Sequence, residues 1–248
     1  AELLAQLGYP EDYLSEKPRC PLCGDTGYRG DGLCSCLKKY YAQEQIRELS
    51  RMLDIGSQSF DTFELDWYSP DRGSLPRSPR ENAQRNLNLC RDFAARFRPG
   101  RENLLLFGAP GLGKTFLSAC IARVVSEDGF SVVYDTAGHV FSQFESAKFR
   151  RDDDGDTAGE DVERCMNCDL LILDDLGTEM TTSFVQSALY QLINGRLLTG
   201  RSTVISTNLD PEELGRRYGA PLLSRLEGEY QLLPFVGMDI RRLKRERG

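Results

Sequence analysis

Histidine is almost absent from this sequence: His139 is the sole histidine among 248 residues. A metal site built from several histidines is therefore excluded, and so is catalysis by a pair of histidine bases. Long apolar runs are missing too, since no stretch approaches the ~18 consecutive apolar residues of a membrane-spanning helix. The first residues lack the basic and apolar regions of a signal peptide. We therefore expect a cytoplasmic protein with no membrane partner.

The chain also lacks an excess of positive charge. Its formal net charge is −7 and its isoelectric point is about 5.0. A protein that binds duplex DNA without sequence preference is usually basic, so any contact with nucleic acid must come from a local patch. Arginine and lysine are concentrated in the tail, at Arg241, Arg242, Lys244, Arg245 and Arg247. Charge alone favours a solvated helix face there over a nucleic-acid contact.

Cysteine, in contrast, is plentiful and clustered. Four of the eight cysteines lie at Cys20, Cys23, Cys34 and Cys36, in the pattern C-x₂-C-x₁₀-C-x-C. Four thiolates within one short polar segment predict a tetrahedral Zn²⁺ site; free or redox-active thiols are the alternative. Four protein ligands leave no open position, so the metal would be structural and would supply folding energy. The remaining cysteines are interpreted as ordinary buried thiols: Cys90, Cys120, Cys165 and Cys168.

The chain divides into three predicted parts. Residues 1–58 form a zinc-binding module, in which helices are expected over 1–16 and 37–53, the second with an apolar stripe at Ala42, Ile46, Leu49 and Leu53. Residues 59–80 form a linker whose aromatic stretch 59–68 is expected to pack on the next domain. Residues 81–248 alternate strands and helices, which predicts a parallel sheet covered on both faces.

Within this third part, strands are expected near 104–107, 130–134, 169–173, 203–207 and 230–235, and helices near 81–98, 137–150, 183–199 and from 114. Asp210 and Pro211 favour a further helix start, and Asp239 favours the start of a short basic tail helix. The acidic segment 152–161 is predicted to be a loop.

A phosphate-binding pattern, G-x-x-x-x-G-K-[ST], follows the first strand. Its glycines allow the backbone N–H groups to surround phosphate oxygens, and the following helix adds its positive end. Lys114 would reach the β- and γ-phosphates, and the Thr115 hydroxyl would bind Mg²⁺. The predicted nucleotide-binding residues are Gly108, Ala109, Pro110, Gly111, Leu112, Gly113, Lys114, Thr115, Phe116 and Asp174.

Asp174 ends the apolar strand that begins at Leu170, where a parallel sheet presents ligand-binding residues. This Walker B pattern predicts that Asp174 holds Mg²⁺ and that Asp175 orients the attacking water. Asp175 as a helix cap or a supporting ligand is the alternative. An aspartate is one methylene shorter than a glutamate, so we expect slow hydrolysis. Asn208 closes the next strand and would reach the γ-phosphate if that strand lies between the other two; a turn residue is the alternative.

The ordered set GAPGLGKT, LLILDDLG, ISTN, LLSRL and GMDIRR resembles the DnaC/DnaI/IstB group of AAA+ ATPases over residues 59–248. The segment CPLCGDTGY…CSCLK is similar to the zinc-bearing front end of DnaI-type helicase loaders. The resemblance implies an α/β AAA+ P-loop fold of three layers, with a five-stranded sheet in the order 5-1-4-3-2. Only thirteen residues follow Phe235, so no full helical lid is expected.

The resemblance also implies roles for side chains. Asn208 would be sensor 1, and Arg225 an arginine finger aimed at the ATP of a neighbouring subunit. Arg241 would be sensor 2, with Arg242 as its rival. From the residues alone, both Arg225 and Arg241 would be interpreted as surface charges.

The function implied is a helicase loader of bacterial or phage DNA replication, which uses ATP, Mg²⁺ and Zn²⁺. It would bind a replicative DnaB-type helicase and single-stranded DNA, and would self-associate through its ATPase domain. One alternative is an IstB-type transposition helper that acts on target DNA and a transposase. Another is a zinc-dependent adaptor whose ATP site is not catalytic.

Overall fold

The computed structural model describes residues 18–30, 32–41, 44, 58–149 and 157–247. The chain forms two compact units, Ala1–Tyr41 and Ala42–Gly248. The helix predicted for 1–16 lies outside the described residues, as does the apolar stripe predicted within 37–53. None of the described helices combines the length and apolar character that crossing a bilayer requires.

The described part of the first unit is a small hairpin with a turn before it and a helix after it. Strand β1 (Tyr28–Arg29) pairs antiparallel with β2 (Gly32–Leu33). Residues 35–41 and 44 are helical. Two of the clustered cysteines precede β1 and two follow β2, so the hairpin brings the two pairs of cysteines together.

The second unit is built around a parallel sheet. Two short 3₁₀ turns, Phe60–Thr62 and Leu65–Trp67, precede it. The strands are β3 (Leu104–Gly108), β4 (Val132–Thr136), β5 (Leu170–Leu176), β6 (Ser202–Thr207) and β7 (Gln231–Phe235). The helices are α1 (Pro79–Ala95), α2 (Lys114–Glu127), α3 (Ala137–Phe149), α4 (Thr157–Asn167), α5 (Ser183–Leu198), α6 (Pro211–Tyr218), α7 (Ala220–Glu229) and α8 (Ile240–Arg247).

The sheet order is β4-β5-β6-β3-β7, and all four pairings are parallel. Counted within this sheet alone, the order is 5-1-4-3-2, which confirms the predicted topology. Strand β6 therefore lies between β5 and β3, and the carboxyl ends of the three strands meet at the edge where the phosphate-binding loop begins.

Two apolar cores cover the two faces of the sheet, giving three layers. Successive strand residues point to opposite faces, so Leu104 and Leu106 pack with α1 and α2, whereas Leu105 packs with α3, α5, α6 and α7. Both faces are buried, which explains why the strands consist of nearly continuous apolar residues.

Several boundaries differ from the sequence-based expectations. Helix α1 begins at Pro79 because Ser78 and Glu81 form a capping box, in which each side chain accepts a hydrogen bond from the other's backbone N–H. Strand β4 starts two residues later than predicted, after the turn at Gly129. Part of the predicted acidic loop is helical, since α4 starts at Thr157. The helix expected after Asp210 is followed by a second one, because Gly219, with φ +95°, separates α6 from α7.

Candidate functional site

The loop between β3 and α2 curls tightly over the edge of the sheet. Gly108 and Gly113 have φ of +138° and +89°, a region that side chains disfavour. A Cβ on Gly108 would also press on the carbonyl oxygen of Phe235, and one on Gly113 would lie 2.9 Å from the Tyr68 hydroxyl. These positions require glycine, and the conformation they allow leads directly into the N-terminus of α2, where a phosphate is favoured.

Lys114 turns back over this loop. Its Nζ donates to the carbonyl oxygens of Gly108 (2.7 Å) and Ala109 (2.8 Å) and to Oδ1 of Asn208 (2.8 Å). The residue is only 5% exposed. Burial lowers the pKa of Lys114 to about 8, although the charges of Asp175 and Asp174 oppose that shift. Lys114 therefore joins the loop to the end of β6, as the predicted role of Asn208 requires.

Asp174 lies at the centre of a group of hydroxyls. Its Oδ2 accepts a hydrogen bond from Tyr134 (2.7 Å), and its Oδ1 accepts one from Ser206 and lies 3.4 Å from Oγ1 of Thr115. Asp174 is buried, with 2% exposure. Carboxylate and hydroxyl oxygens are the ligands that Mg²⁺ prefers, so Asp174 and Thr115 fit the metal. Mg²⁺ bound there would neutralise phosphate charge.

Asp175 has an unusual backbone conformation. Its φ is +54°, and the pairing of β5 with β6 is irregular between Leu173 and Leu176. Its N–H donates to the Ser206 hydroxyl (3.1 Å). Burial, followed by the charge of Asp174, raises the pKa of the Asp175 carboxyl. Strained non-glycine residues are concentrated at functional sites, and this one faces the same cavity as Lys114.

A cavity of about 340 Å³ is lined by Lys114 and Asp175, whereas Gly108, Ala109 and Asp174 are not among its lining residues. Three separated segments surround it: the aromatic stretch around 58–68, the phosphate-binding loop and helix α8. Tyr68 donates to the Leu112 carbonyl (2.9 Å), and Ile240 donates its N–H to the Gly111 carbonyl (3.0 Å). The lining residues include the predicted Pro110, Gly111, Leu112, Gly113, Lys114, Thr115, Phe116, Asp175, Asn208 and Arg241.

The predicted arginines occupy different places. Arg241 lines the cavity. Its charge adds to the burial that lowers the pKa of Lys114 and opposes the burial that raises the pKa of Asp175. Its rival Arg242 instead pairs with Glu246 (2.9 Å). Arg225 lies exposed on α7 and is not among the residues that line this cavity. The role of Arg225 as an arginine finger stays a prediction.

Several lining and supporting residues were missed from the sequence. Tyr134 and Ser206 hold Asp174, while Trp67 and Lys244 lie at the cavity, the Lys244 Nζ 5.3 Å from the centre of the Trp67 ring. Ser206 lies two residues before Asn208, and this period-2 spacing could have indicated it. The contact of Tyr134 with Asp174 could be identified only once the register of β4 against β5 was known.

The four clustered cysteines of the first unit converge. The sulfur atoms of Cys20 and Cys34 are 3.8 Å apart, those of Cys23 and Cys36 are 3.5 Å apart, and all four lie within 4.8 Å of one another. Zn–S bonds of about 2.3 Å in a tetrahedron place sulfurs roughly 3.8 Å apart. The donor set and its spacing therefore fit Zn²⁺.

The surroundings of the cluster also suit a metal. Asp25 accepts hydrogen bonds from the backbone N–H groups of Arg19 (2.9 Å) and Cys20 (2.7 Å), which fixes the first turn. Desolvation raises the pKa of Cys23, but hydrogen bonds from the Gly27 backbone and from neighbouring thiols lower it to about 7. The hydrogen bond to Cys23 in turn raises the pKa of Cys36 to about 12. Cys23 therefore loses its proton first, and Zn²⁺ would have to displace the proton of Cys36.

The other four cysteines are buried. Cys165 and Cys168 lie beside Arg196, whose Nη1 is 3.4 Å from the Cys168 sulfur. Among the described residues, the cluster at 20–36 is the one group of three or more cysteine, histidine and acidic side chains placed to hold a metal ion.

Comparison with known proteins was made on sequence and on structure. A family model described as IstB-like ATP binding protein matches residues 81–226, more than half of the chain. Uncharacterized protein YdaV of Escherichia coli strain K12 is 29% identical over 140 residues, which cover 56% of this chain and 55% of YdaV. The replicative helicase loader DnaC of the same strain is 25% identical over 146 residues, covering 59% of this chain and 58% of the loader.

The matches to YdaV and DnaC thus cover little more than half the length of each relative. Among solved structures, a crystal structure of the DnaC helicase loader superposes with a TM-score of 0.56 at 22% identity, covering 71% of this chain and 98% of that chain. At this identity the superposition establishes the fold.

Proposed function

Because the chain belongs to the family of IstB-like ATP-binding proteins, an AAA+ family that includes helicase loaders, we propose that it is an ATP-hydrolysing helicase loader of bacterial or phage DNA replication. One observation carries the proposal: Lys114, Thr115, Asp175, Asn208 and Arg241, from separate parts of the chain, surround one cavity. Together these side chains would bind the phosphates and Mg²⁺, orient the attacking water and neutralise the negative charge that develops during phosphoryl transfer.

Each group has a role that its position suits. The loop amides and Lys114 would hold the β- and γ-phosphates. Asp174 and Thr115 would hold Mg²⁺. Asp175 would orient the attacking water, and Asn208, already bonded to Lys114, would contact the γ-phosphate. Arg241 would neutralise charge on the leaving phosphates from within the same subunit.

The client would bind at the first unit. We propose that residues 1–58 form a zinc-binding module that contacts a replicative DnaB-type helicase, and that 81–248 form the ATPase domain. The described residues of the zinc-binding module expose five large apolar side chains, at Leu22, Tyr28, Leu33, Tyr40 and Tyr41. Such exposure on so small a unit is typical of a protein-binding surface.

Single-stranded DNA would bind at the end of α3. Phe149 is 66% exposed, and its ring centre lies 6.0 Å from that of Phe184 on α5. The Lys148 ammonium lies 5.1 Å from the Phe184 ring centre and 5.7 Å from that of Phe149. Phe184 is partly buried. An exposed aromatic ring beside a cation offers the stacking surface and the charge that the bases and phosphates of single strands bind.

A second candidate keeps the ATPase but changes the client. The matching family model is described as IstB-like, so a transposition helper that acts on target DNA and a transposase is the competing proposal. The four-cysteine unit favours the loader, because helpers of the IstB type usually lack a zinc-binding front end. The client that the purified chain retains separates the two.

The test combines turnover with client binding. Phosphate release is measured with Mg·ATP, alone and with single-stranded DNA and a bacterial replicative helicase, and Lys114→Ala is the control that removes catalysis. Helicase retention on the immobilised chain is measured with and without a zinc chelator. We expect slow basal turnover, stimulation by the partners and retention that the chelator abolishes. Turnover without any helicase retention would refute the loader and leave the ATPase.

A further inference from the structure

The Asp174 carboxylate is fixed by side chains from both neighbouring strands. Tyr134 on β4 donates to one oxygen (2.7 Å), and Ser206 on β6 donates to the other. Tyr134 and Ser206 are 3% and 0% exposed. Water therefore does not compete for these bonds, and hydrogen bonds to a charged acceptor are among the strongest in proteins.

The Tyr134 hydroxyl is not needed for packing. Its ring belongs to the apolar core under α2, together with residues such as Ile121 and Ile172. A phenylalanine would fill the same volume without a buried hydroxyl, whose desolvation costs free energy unless it is hydrogen-bonded. Its partner in the structure is Asp174. The hydrogen bond to the Asp174 carboxylate therefore accounts for a hydroxyl at this position.

Ser206 acts on both acidic residues. Its hydroxyl donates to Asp174 and accepts from the N–H of Asp175 (3.1 Å), where the backbone has φ +54°. Rotation of the Asp174 carboxylate would break the bonds from Tyr134 and Ser206 together. The carboxylate is therefore held in one orientation, with Oδ1 toward Thr115.

We propose that Tyr134 and Ser206 are positioning residues that orient Asp174 toward the Mg²⁺ of bound Mg·ATP. This inference rests on the proposed ATP site. Pre-orientation matters because a hard cation such as Mg²⁺ demands near-ideal ligand geometry. Neither residue would touch the nucleotide.

The test uses Tyr134→Phe, which keeps the ring and removes only the hydroxyl. The readout is the Mg²⁺ concentration that gives half-maximal binding of a fluorescent ATP analogue. We expect it to rise about tenfold, the effect of one lost hydrogen bond to a charged group. Binding of the analogue in EDTA should stay unchanged. The matched control is Tyr230→Phe, at a buried tyrosine that precedes β7 at the opposite edge of the sheet.

The outcomes separate the two proposals. If the wild-type chain binds no analogue at any Mg²⁺ concentration, the proposed ATP site is wrong. If it binds but Tyr134→Phe has the wild-type Mg²⁺ requirement, the positioning role is wrong. Equal weakening with and without Mg²⁺ would also overturn it, since that result indicates a packing defect. Should Tyr134→Phe fail to fold by circular dichroism, Ser206→Ala carries the same test and the same expectation.

Discussion

The lowered pKa of Lys114 makes nucleotide affinity depend on pH. Burial holds this pKa at about 8, against an ordinary value near 10.5. A triphosphate beside the ammonium favours its charged form, so the pKa in the complex is higher than in the free protein. Affinity is therefore nearly complete at pH 7 and falls as the pH rises through 8, because a growing share of binding events must then protonate the lysine.

The size of this pH effect on nucleotide affinity follows from the pKa of Lys114. At pH 7 about nine tenths of the free protein carries a protonated Lys114, and at pH 9 about one tenth does. The dissociation constant should thus rise roughly tenfold between these values, which is about 1.4 kcal/mol. At pH 8, binding should take up about half a proton per site. ATP itself is fully ionised over this range and contributes little.

Isothermal titration calorimetry in buffers of different ionisation enthalpy measures both quantities. Lys114→Arg is the matched control, because a guanidinium stays charged and its affinity should not vary between pH 7 and 9. Circular dichroism at each pH checks that the fold persists. Wild-type dissociation constants that agree within twofold at pH 7 and 9, without proton uptake at pH 8, would refute the reasoning.

Three further predictions address other parts of the molecule. Arg225→Ala should retain ATP binding but lose partner-stimulated phosphate release by about 10³-fold, because a finger in trans acts on the transition state; equal loss of binding would count against that role. Cys23→Ser or chelation should remove one zinc per chain, measured by atomic absorption, and leave ATP affinity unchanged; unaltered zinc content would contradict the cluster. Arg196→Met should lower the free energy of unfolding in urea by about 3 kcal/mol, since it removes the hydrogen bonds that the guanidinium donates to the buried carbonyls of Cys165 and Ser202; a loss below about 1 kcal/mol would show that these bonds are replaced.

The sequence alone predicted the parts of the site whose residues are close together along the chain. The phosphate-binding loop, its lysine and its threonine lie within eight consecutive residues, and the strand order that brings Asn208 to Lys114 came from the family resemblance. The Tyr134 hydroxyl could not be assigned, because its acceptor is 40 residues away and on another strand. A tyrosine in a strand looks like any core residue until the register is known.

Helix α4 was missed for a different reason. The acidic and glycine-containing residues before it dominate the local composition, and they favour a loop. The helical signal was nevertheless present: Ala158, Val162 and Cys165 follow the i, i+4, i+7 spacing, and Ala158 and Cys165 are buried. The helical spacing of these apolar residues therefore predicts most of α4, even though the composition favours a loop.

The route of the chain past the cavity gives a physical basis for a switch. The segment around 58–68 lines the cavity through Thr62, Phe63 and Tyr68. Tyr68 is bonded to the phosphate-binding loop, so a ligand that moves the loop also moves this segment. Helix α8 is tied to the same loop from the opposite end of the chain by the N–H of Ile240. A nucleotide that reshapes the loop therefore acts through hydrogen-bonded atoms on both the 58–68 segment and α8, which lie far apart in the sequence.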